Sequence, residues 1–479
     1  MNNFTRNKTL CLITVSILWI GSTTSAFGQA VYTRQTSLSP TPKPLVQQQS
    51  VPTNKPAPQT SATPLVNKTG SSSPSSAVVV PVARRTSFAA LANIDIPGYS
   101  GILVEDLNGN IVFETASTYT FNPASNVKIA TAFAVLKTFG PEYRFPTSVW
   151  TDGQIDSVTG TLYGNLYVSG RDPMFNLEHG IAMANELNRL GVRSVSGDLI
   201  VTDNFTMSFN TAAQRSGQNL TAVMNSAKRT AAATRSWQNY LVSSKKIAQV
   251  NAVPSVSITG GVYTQTLPTN ARLLFSHEST PLREIVKTTL CYSNNFLSER
   301  LGDMLGGPYA VARIVQQNAQ VAPHDFSIQT ASGLGINRVT PRAMMKLLKA
   351  FRTELARNKM NFTDIMPVAG IDKGTLEGRF NADFARGSVV GKTGTLGQTD
   401  SGVSSLAGEI QTRNGKFLFV IFNQRGSVSR FRGFQNSLVA LIQGQLGGAA
   451  PMAYMQIPLD VRLANTRITY PDTRARINE

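Results

Sequence analysis

Gly387-Ser-Val-Val-Gly-Lys-Thr-Gly-Thr-Leu396, Gly402-Val-Ser-Ser-Leu-Ala-Gly-Glu-Ile-Gln411 and Lys416-Phe-Leu-Phe-Val-Ile-Phe-Asn-Gln424 are apolar runs of strand length separated by short breaks. They read as three consecutive strands, and Arg430–Leu446 behind them reads as an amphipathic helix. Towards the other end, Gly101-Ile-Leu-Val-Glu-Asp106 and Ile111-Val-Phe-Glu114 flank Leu107-Asn-Gly-Asn110. An Asn-Gly turn between two such runs signals a hairpin. Helical patterns lie between these ends. One covers Ile129–Leu136, after Pro123 and before Gly140-Pro141, and others fall at Pro281–Leu305, Pro308–Asn318 and Pro341–Thr353. The pattern predicts an α+β body in which both chain ends contribute strands to one antiparallel sheet flanked by helices.

The pattern changes from about Arg144 to Asp203. Short β segments (Thr147–Thr151, Gly160–Ser169 and Gly197–Thr202) surround a helix over roughly 176–190. Residues 205–265 are rich in Ser, Thr, Ala and Gln and have weak periodicity. Residues 150–265 are therefore expected to form an inserted β-rich module between two parts of one domain, 87–149 and 266–450. The tail 451–479 carries no clear pattern.

Residues 1–94 contain eight bases and no acid, which leaves 37 bases and 27 acids from Asp95 onward out of a total charge of +18. The body is thus moderately basic, which suits an anionic neighbour such as a wall polymer, a membrane surface or a nucleic acid. Arg6 and Lys8 precede the apolar run Leu10–Gly21, followed by Thr24-Ser25-Ala26 and Gly28-Gln29-Ala30. This predicts a signal peptide over 1–30 and a periplasmic or otherwise extracytoplasmic location, with an uncleaved anchor as the alternative. Residues 31–86 hold nine of the chain's 24 prolines and only Tyr32 among aromatics, a composition that predicts a disordered tether. Beyond Cys11, inside the apolar run, only Cys291 remains, so an internal disulfide is excluded.

Ser125-Asn-Val-Lys128 puts a hydroxyl and an amine at i and i+3, on one face of a helix. A buried lysine with a lowered pKa can deprotonate such a serine. The spacing alone is weak, since Ser243-Ser-Lys-Lys246 repeats it by chance. Ser293-Asn-Asn295 follows 168 residues after Ser125 at a helix boundary, and Lys392-Thr-Gly394 follows 99 residues later inside a strand. A second Lys-Thr-Gly, at 68–70, falls in the tether and ahead of the Ser-Lys pair. Order, spacing and secondary structure together select one copy of each. A Lys-Thr-Gly strand offers a cation, a hydroxyl and a glycine that lets a substrate backbone lie against the edge.

With these three motifs in this order, the chain resembles the serine penicillin-recognising enzymes. Among them it is most similar to the type-4 low-molecular-mass penicillin-binding proteins, the D-alanyl-D-alanine carboxypeptidase/endopeptidase family. The resemblance extends through Tyr143-Arg-Phe-Pro-Thr147, Gly160–Tyr167, Gly197–Asp203, Pro281–Ile285, Ser332-Gly-Leu334, Asn337–Pro341, Met366–Gly370 and Gly374-Thr-Leu376. Departures are Arg171-Asp-Pro173 in place of Gly-Asp-Pro, the stretch 205–265, and Gln398-Thr-Asp400, which lengthens the loop after the Lys-Thr-Gly strand. The resemblance implies a β-lactamase/penicillin-binding-protein-like fold and hydrolysis of peptidoglycan stem peptides, with β-lactams as inhibitors and no cofactor. It implies Ser125 as the acylated nucleophile, Lys128 as its base and Ser293 as the proton relay. Asn295 is then the substrate-amide ligand and Lys392 a charge that lowers the pKa of Lys128. Thr393 becomes the carboxylate ligand beside Gly394, and the N–H groups of Ser125 and Thr395 form an oxyanion hole.

Tyr292-Ser-Asn294 offers a second register, that of class C β-lactamases, so a serine β-lactamase or related esterase is the alternative enzyme. A non-catalytic wall-binding protein is the alternative of another kind. Nucleic acid is disfavoured by the export signal and by the lack of interleaved basic and aromatic residues. Loose membrane or wall association is compatible with the basic N-terminus. His179, His277 and His324 are scattered without metal-ligand spacing and read as surface or hydrogen-bonded structural residues. Cys291 reads as a small apolar packing residue. Asp172 reads either as a ligand for a cationic substrate group or as a turn residue before Pro173.

Overall fold

In the computed structural model, which describes residues 84–246, 248 and 252–471, the unbroken apolar run Phe417–Phe422 is explained by two cores. Successive strand residues point to opposite faces. Leu418, Val420 and Phe422 enter one buried cluster, and Phe417, Phe419 and Ile421 enter another. A strand covered on both faces has no polar side to present.

In chain order the principal strands are β1 (Tyr99–Asp106), β2 (Ile111–Thr115), β3 (Pro146–Thr151), β4 (Leu166–Gly170), β5 (Leu199–Val201), β6 (Val262–Thr264), β7 (Arg272–Glu278), β8 (Val389–Leu396), β9 (Val403–Thr412), β10 (Gly415–Gln424) and β11 (Arg467–Thr469). The principal helices are α1 (Val127–Phe139), α2 (Leu177–Arg189), α3 (Ala213–Met224), α4 (Ala231–Ser243), α5 (Leu282–Tyr292), α6 (Asn295–Asp303), α7 (Pro308–Asn318), α8 (Pro341–Arg357) and α9 (Val428–Gln445).

The first sheet has five strands in the order β8-β9-β10-β1-β2, all antiparallel, so the two chain ends do meet in one sheet. On one face α1, α5, α7 and α8 bury a shared core, and on the other Leu438, Val439 and Ile442 of α9 cover the sheet. Ten consecutive residues of α1, Val127–Leu136, are buried. A helix apolar nearly all round belongs at the centre of such a body.

The second sheet is mixed, with six strands in the order β6-β5-β4-β3-β7-β11. Helices α2, α3 and α4 bury a separate core against it. The expected β-rich module therefore also carries three helices. Two of them lie in the stretch of weak periodicity. The inward positions of α3 include Ala213, Ser216 and Gly217 besides Leu220, Val223 and Met224. Small and polar residues fill the first turns of the helix's inner face, and large apolar groups enter it only from Leu220 onward. The single strand expected over Gly160–Ser169 is broken at Gly164-Asn165, where Asn165 turns back to Asp152.

The second sheet also reaches beyond the boundary expected at residue 265. It includes β7, and the tail adds β11, with Ser276 opposite Thr469 and His277 opposite Ile468. Arg462 of the tail pairs with Glu284 of α5 at 2.9 Å. The signal peptide expected over 1–30, the tether up to residue 83 and the second Lys-Thr-Gly lie outside the described residues. Among the described residues no helix is long and apolar enough to cross a membrane.

Candidate active site

Ser125 follows Pro123 and Ala124 in a single turn of 3-10 helix that runs directly into α1. Ala124 has φ 46°, a left-handed conformation that a residue with a Cβ adopts only when its surroundings impose it. Two glycines make room for this turn. A Cβ on Gly394 would meet Ser405 Oγ at 2.2 Å, Pro123 O at 2.8 Å and Ser125 N at 2.9 Å. A Cβ on Gly333, at φ +85°, would lie 1.9 Å from Ala124 O. The glycine of Lys-Thr-Gly thus admits the serine turn against the strand.

One helical turn on, Lys128 is 1% exposed and donates to Ser125 Oγ (3.1 Å), Asn295 Oδ1 (2.7 Å) and Ser332 O (2.7 Å). Burial pushes its pKa down to about 7, while the nearby Glu299 carboxylate pulls in the opposite direction. Glu299 is fixed by accepting the N–H groups of Ala331 and Ser332. Lys392, fully buried in β8, donates to Ser293 Oγ (2.8 Å) and to Thr393 O (2.6 Å). Its pKa also falls well below the usual value, through burial and then through the charge of Lys128. The sequence suggested both burial and the charge of Lys392 as causes of a lowered Lys128 pKa. Burial is the larger cause at both lysines.

The helical stretch Pro281–Leu305 divides at the boundary expected at Ser293-Asn-Asn295, where Ser293 takes φ 54° at the end of α5. Asn294 then caps α6 by accepting the N–H of Leu297, and Asn295 opens that helix. At this corner Ser293 Oγ meets Lys392 Nζ and Asn295 Oδ1 meets Lys128 Nζ. Asn294 is spent on the cap, and Tyr292 lies on the side of Lys373 and Glu377. Thr393 and Thr395 alternate with Lys392 and Gly394 and so fall on the other face of the strand. There Arg432 of α9 donates to Thr395 Oγ1 at 3.0 Å. The structure therefore gathers Ser125, Lys128, Ser293, Asn295, Lys392 and Gly394 on one side of β8, with Thr393 and Thr395 across the strand.

Glu299, Ser332 and Arg432 were not assigned from sequence. Glu299 is readable in retrospect at i+4 from Asn295, on the same side of α6. Ser332 lies in a block noted only as a resemblance and acts through its carbonyl, which no side-chain pattern reveals.

Cys291 is buried and its thiol is pushed up to about 12 by burial, as suits a packing residue. Asp172 is buried and accepts the Met174 N–H at 2.8 Å, the turn-forming role. His324 is exposed, and His179 accepts the N–H of Asn176 at 3.1 Å. His277 departs from expectation. It is buried, neither ring nitrogen has a hydrogen-bond partner among the described residues, and its ring lies against those of Phe175 and His179, with centroids 5.7 and 4.9 Å away. Among the described residues no cluster of three His, Cys, Asp or Glu side chains is arranged to hold a metal ion. A cavity of about 650 Å³ at the junction of the module and the body is lined by Tyr143, Arg171, Asp203, Gln265 and Met304 but by none of the Ser–Lys residues.

This sheet, with a Ser–Lys pair at the start of its central helix and a lysine from its edge strand beside it, defines the class of the penicillin-binding serine enzymes. The chain belongs to the D-Ala-D-Ala carboxypeptidase 3 (S13) family, whose profile matches residues 90–216 and 207–443. It is 24% identical over 454 residues to a D-alanyl-D-alanine carboxypeptidase of Actinomadura sp. (strain R39), covering 74% of this chain and 82% of that one. Its fold is similar to the penicillin G-acylated predatory endopeptidase Bd3459 of Bdellovibrio bacteriovorus, with a TM-score of 0.64 and 21% identity over 78% of this chain and 99% of the other. It is also similar to penicillin-binding protein 4 (dacB) of Haemophilus influenzae in complex with a β-lactam, with a TM-score of 0.55 and 20% identity over 72% and 97% of the two chains. The resemblance read from the motifs and the α+β fold class are both borne out.

Proposed function

We propose that the protein hydrolyses the D-Ala-D-Ala end of peptidoglycan stem peptides as a serine carboxypeptidase, and that the same site opens D-Ala cross-links as an endopeptidase. The observation that carries this reading is Lys128, buried and depressed to about 7, with Ser125, Asn295 and Ser332 on its three donors. Once it loses a proton, its lone pair faces Ser125 Oγ. The hydroxyl gives its proton to Nζ as Oγ attacks the carbonyl carbon of the penultimate D-Ala. The N–H groups of Ser125 and Thr395 receive the oxyanion, a contribution typically worth about 3 kcal/mol per donor. Collapse breaks the C–N bond. Ser293 hands a proton to the leaving amine and is refilled from the lysine pair. Water then attacks the ester and gives a proton to Lys128, the acyl C–Oγ bond breaks as Oγ takes that proton back from Lys128, and the shortened stem leaves with Ser125 restored. Asn295 holds the substrate amide, and Thr393, Thr395 and Arg432 take the terminal carboxylate.

The inserted module tunes which stems and polymers reach this site, from its position beside α6, where Phe209 packs on Phe296 with ring centroids 5.5 Å apart. A β-lactam occupies the same site and acylates Ser125. The first thirty residues direct export, which puts the enzyme beside its polymer. Incubating the purified protein with stem pentapeptides and with cross-linked dimers, then weighing the products, tests the reading. Release of one D-Ala from the pentapeptide supports the carboxypeptidase and cleavage of the dimer the endopeptidase. No hydrolysis of either, with no penicillin on Ser125, overturns both.

A further inference from the structure

The lengthened loop Gln398-Thr-Asp400 has no role in the reaction as written, yet its carboxylate is aimed at the turn that carries Ser125. Asp400 sits at φ 50° and takes both nitrogens of the Arg338 fork, Nη2 to Oδ1 at 2.8 Å and Nη1 to Oδ2 at 3.1 Å. Asn122 Nδ2 also donates to Oδ2, at 2.8 Å. Asn122 is fully buried and fully used. Its N–H reaches Gln424 Oε1 (3.1 Å), its Nδ2 also reaches Gly335 O (2.9 Å), and its Oδ1 accepts the N–H of Ala124 (3.1 Å). The loop itself is pinned from behind, where Arg425 N donates to Asp400 O and Gly426 N to Ser401 O.

A continuous chain of hydrogen bonds therefore runs from Arg338 through Asp400 and Asn122 to Ala124, the residue held at positive φ directly before the serine. The carboxylate fixes which end of the Asn122 amide faces Ala124. With Nδ2 committed to two acceptors, only Oδ1 is left to accept the Ala124 N–H. Burial alone would raise the Asp400 pKa, but the bonds from Asn122 and Arg338 outweigh it and lower it, so the carboxylate stays charged.

We propose that Asp400 is a positioning residue for acylation, which locks Asn122 and thereby holds the strained Ala124–Ser125 turn with Oγ in line for Lys128 and the substrate. The proposal rests on the functional reading above, with Ser125 as nucleophile. Displacing a reacting group by about 1 Å can cost about a hundredfold in rate while leaving binding nearly untouched.

The test measures penicillin acylation of the full chain by stopped flow, resolved into the binding constant and the acylation rate constant, for wild type, Asp400→Asn, Asp400→Ala, Asn122→Ala and the Asp400→Ala/Asn122→Ala pair. Hydrogen exchange of the segment 121–126 is followed in the same proteins. We expect Asp400→Ala to lower the acylation constant about 10- to 100-fold with less than about a threefold change in binding. Exchange at 121–126 should speed up, and the double variant should be no slower than Asn122→Ala alone. Asp400→Asn keeps the shape and is expected to give a smaller loss in the same direction, which preserves the test if the alanine variant unfolds. Unchanged acylation and exchange, a loss confined to binding, or additive losses in the double variant would overturn the proposal. If wild type takes no penicillin at Ser125, it is the functional reading that fails. Exchange at 121–126 then still reports whether Asp400 holds the turn.

Discussion

Three donors on Lys128 meet three acceptors, which describes the ammonium form, whereas the reaction needs the amine. The residue's folded pKa of about 7 lies below the ordinary lysine value, so the neutral base is populated above neutrality and lost as pH falls through 7. Acylation should accordingly rise about tenfold per pH unit below the midpoint and level off above it, measured as penicillin labelling rate against pH. Glu299→Gln removes the charge that opposes the shift and should move the midpoint to lower pH. Lys128→Arg, which cannot deprotonate, should abolish labelling at every pH. The neighbouring corner separates two registers that differ by one residue. Because Lys392 bonds Ser293 Oγ and Asn294 is used as a cap, Ser293→Ala should slow acylation by about 100-fold or more, as for a lost proton-transfer group. Tyr292→Phe should change it by less than about threefold. The opposite ranking would favour the β-lactamase-like register.

Elements hold these atoms by close approach. Gly333 can face the serine turn only without a side chain, so Gly333→Ala meets both a forbidden φ and the carbonyl of Ala124. Thermal melts should show a loss above about 2 kcal/mol together with lost penicillin labelling. Gly378→Ala, where an added Cβ meets nothing within 4 Å, should leave both intact. Behind the site, Lys287 of α5 donates to Asp372 at 2.7 Å and to the carbonyls of Thr363 and Met366, while Tyr454 donates to the same carboxylate. This buried pair ties α5 to the segment below Gly374, which itself presses on Cys291 O. Lys287→Met strands the Asp372 charge and should cost about 3–5 kcal/mol in chemical denaturation. Adding Asp372→Asn should recover part of that loss.

At the scale of the whole molecule, the module cannot be cut out between 150 and 265. Strand β7 and the tail strand β11 belong to its sheet, and Arg462 of the tail also grips Glu284 in the catalytic body. The module's buried acid sets a pH dependence for the fold. Burial raises Asp172 to about 7, and its Oδ2 has no partner among the described residues. The folded state thus keeps a proton that the unfolded chain releases near pH 4. Below that value the group is neutral in both states and carries no penalty. As pH climbs from about 4 to 7 the penalty grows, and above 7 it is complete, a few kcal/mol. Asp172→Asn should therefore raise the melting temperature at pH 8 and change it little at pH 4, by calorimetry at the two values. A greater gain at pH 4 would show that the carboxylate is stabilised by something other than its neutral form.

The sequence alone determined the sheet built from both chain ends, because apolar alternation and an Asn-Gly turn are local signals written in consecutive residues. It also determined the three motifs, because a nucleophile, a base and a cation must be particular residue types at spacings that their helix and strand permit. It did not disclose α3 and α4: the inner face of α3 opens on Ala213, Ser216 and Gly217 before its large apolar residues, and α4 buries only Ala233, Trp237, Tyr240 and Leu241 in a stretch otherwise rich in Ser, Thr, Ala and Gln. Nor did it disclose Ser332 O, Gly333, or the line from Arg338 through Asp400 to Asn122. Backbone carbonyls carry no residue signature, and Asn122, Arg338 and Asp400 are separated by 216 and 62 positions in the chain. Only the folded contact between the loop after β8 and the turn before α1 brings them within hydrogen-bond reach.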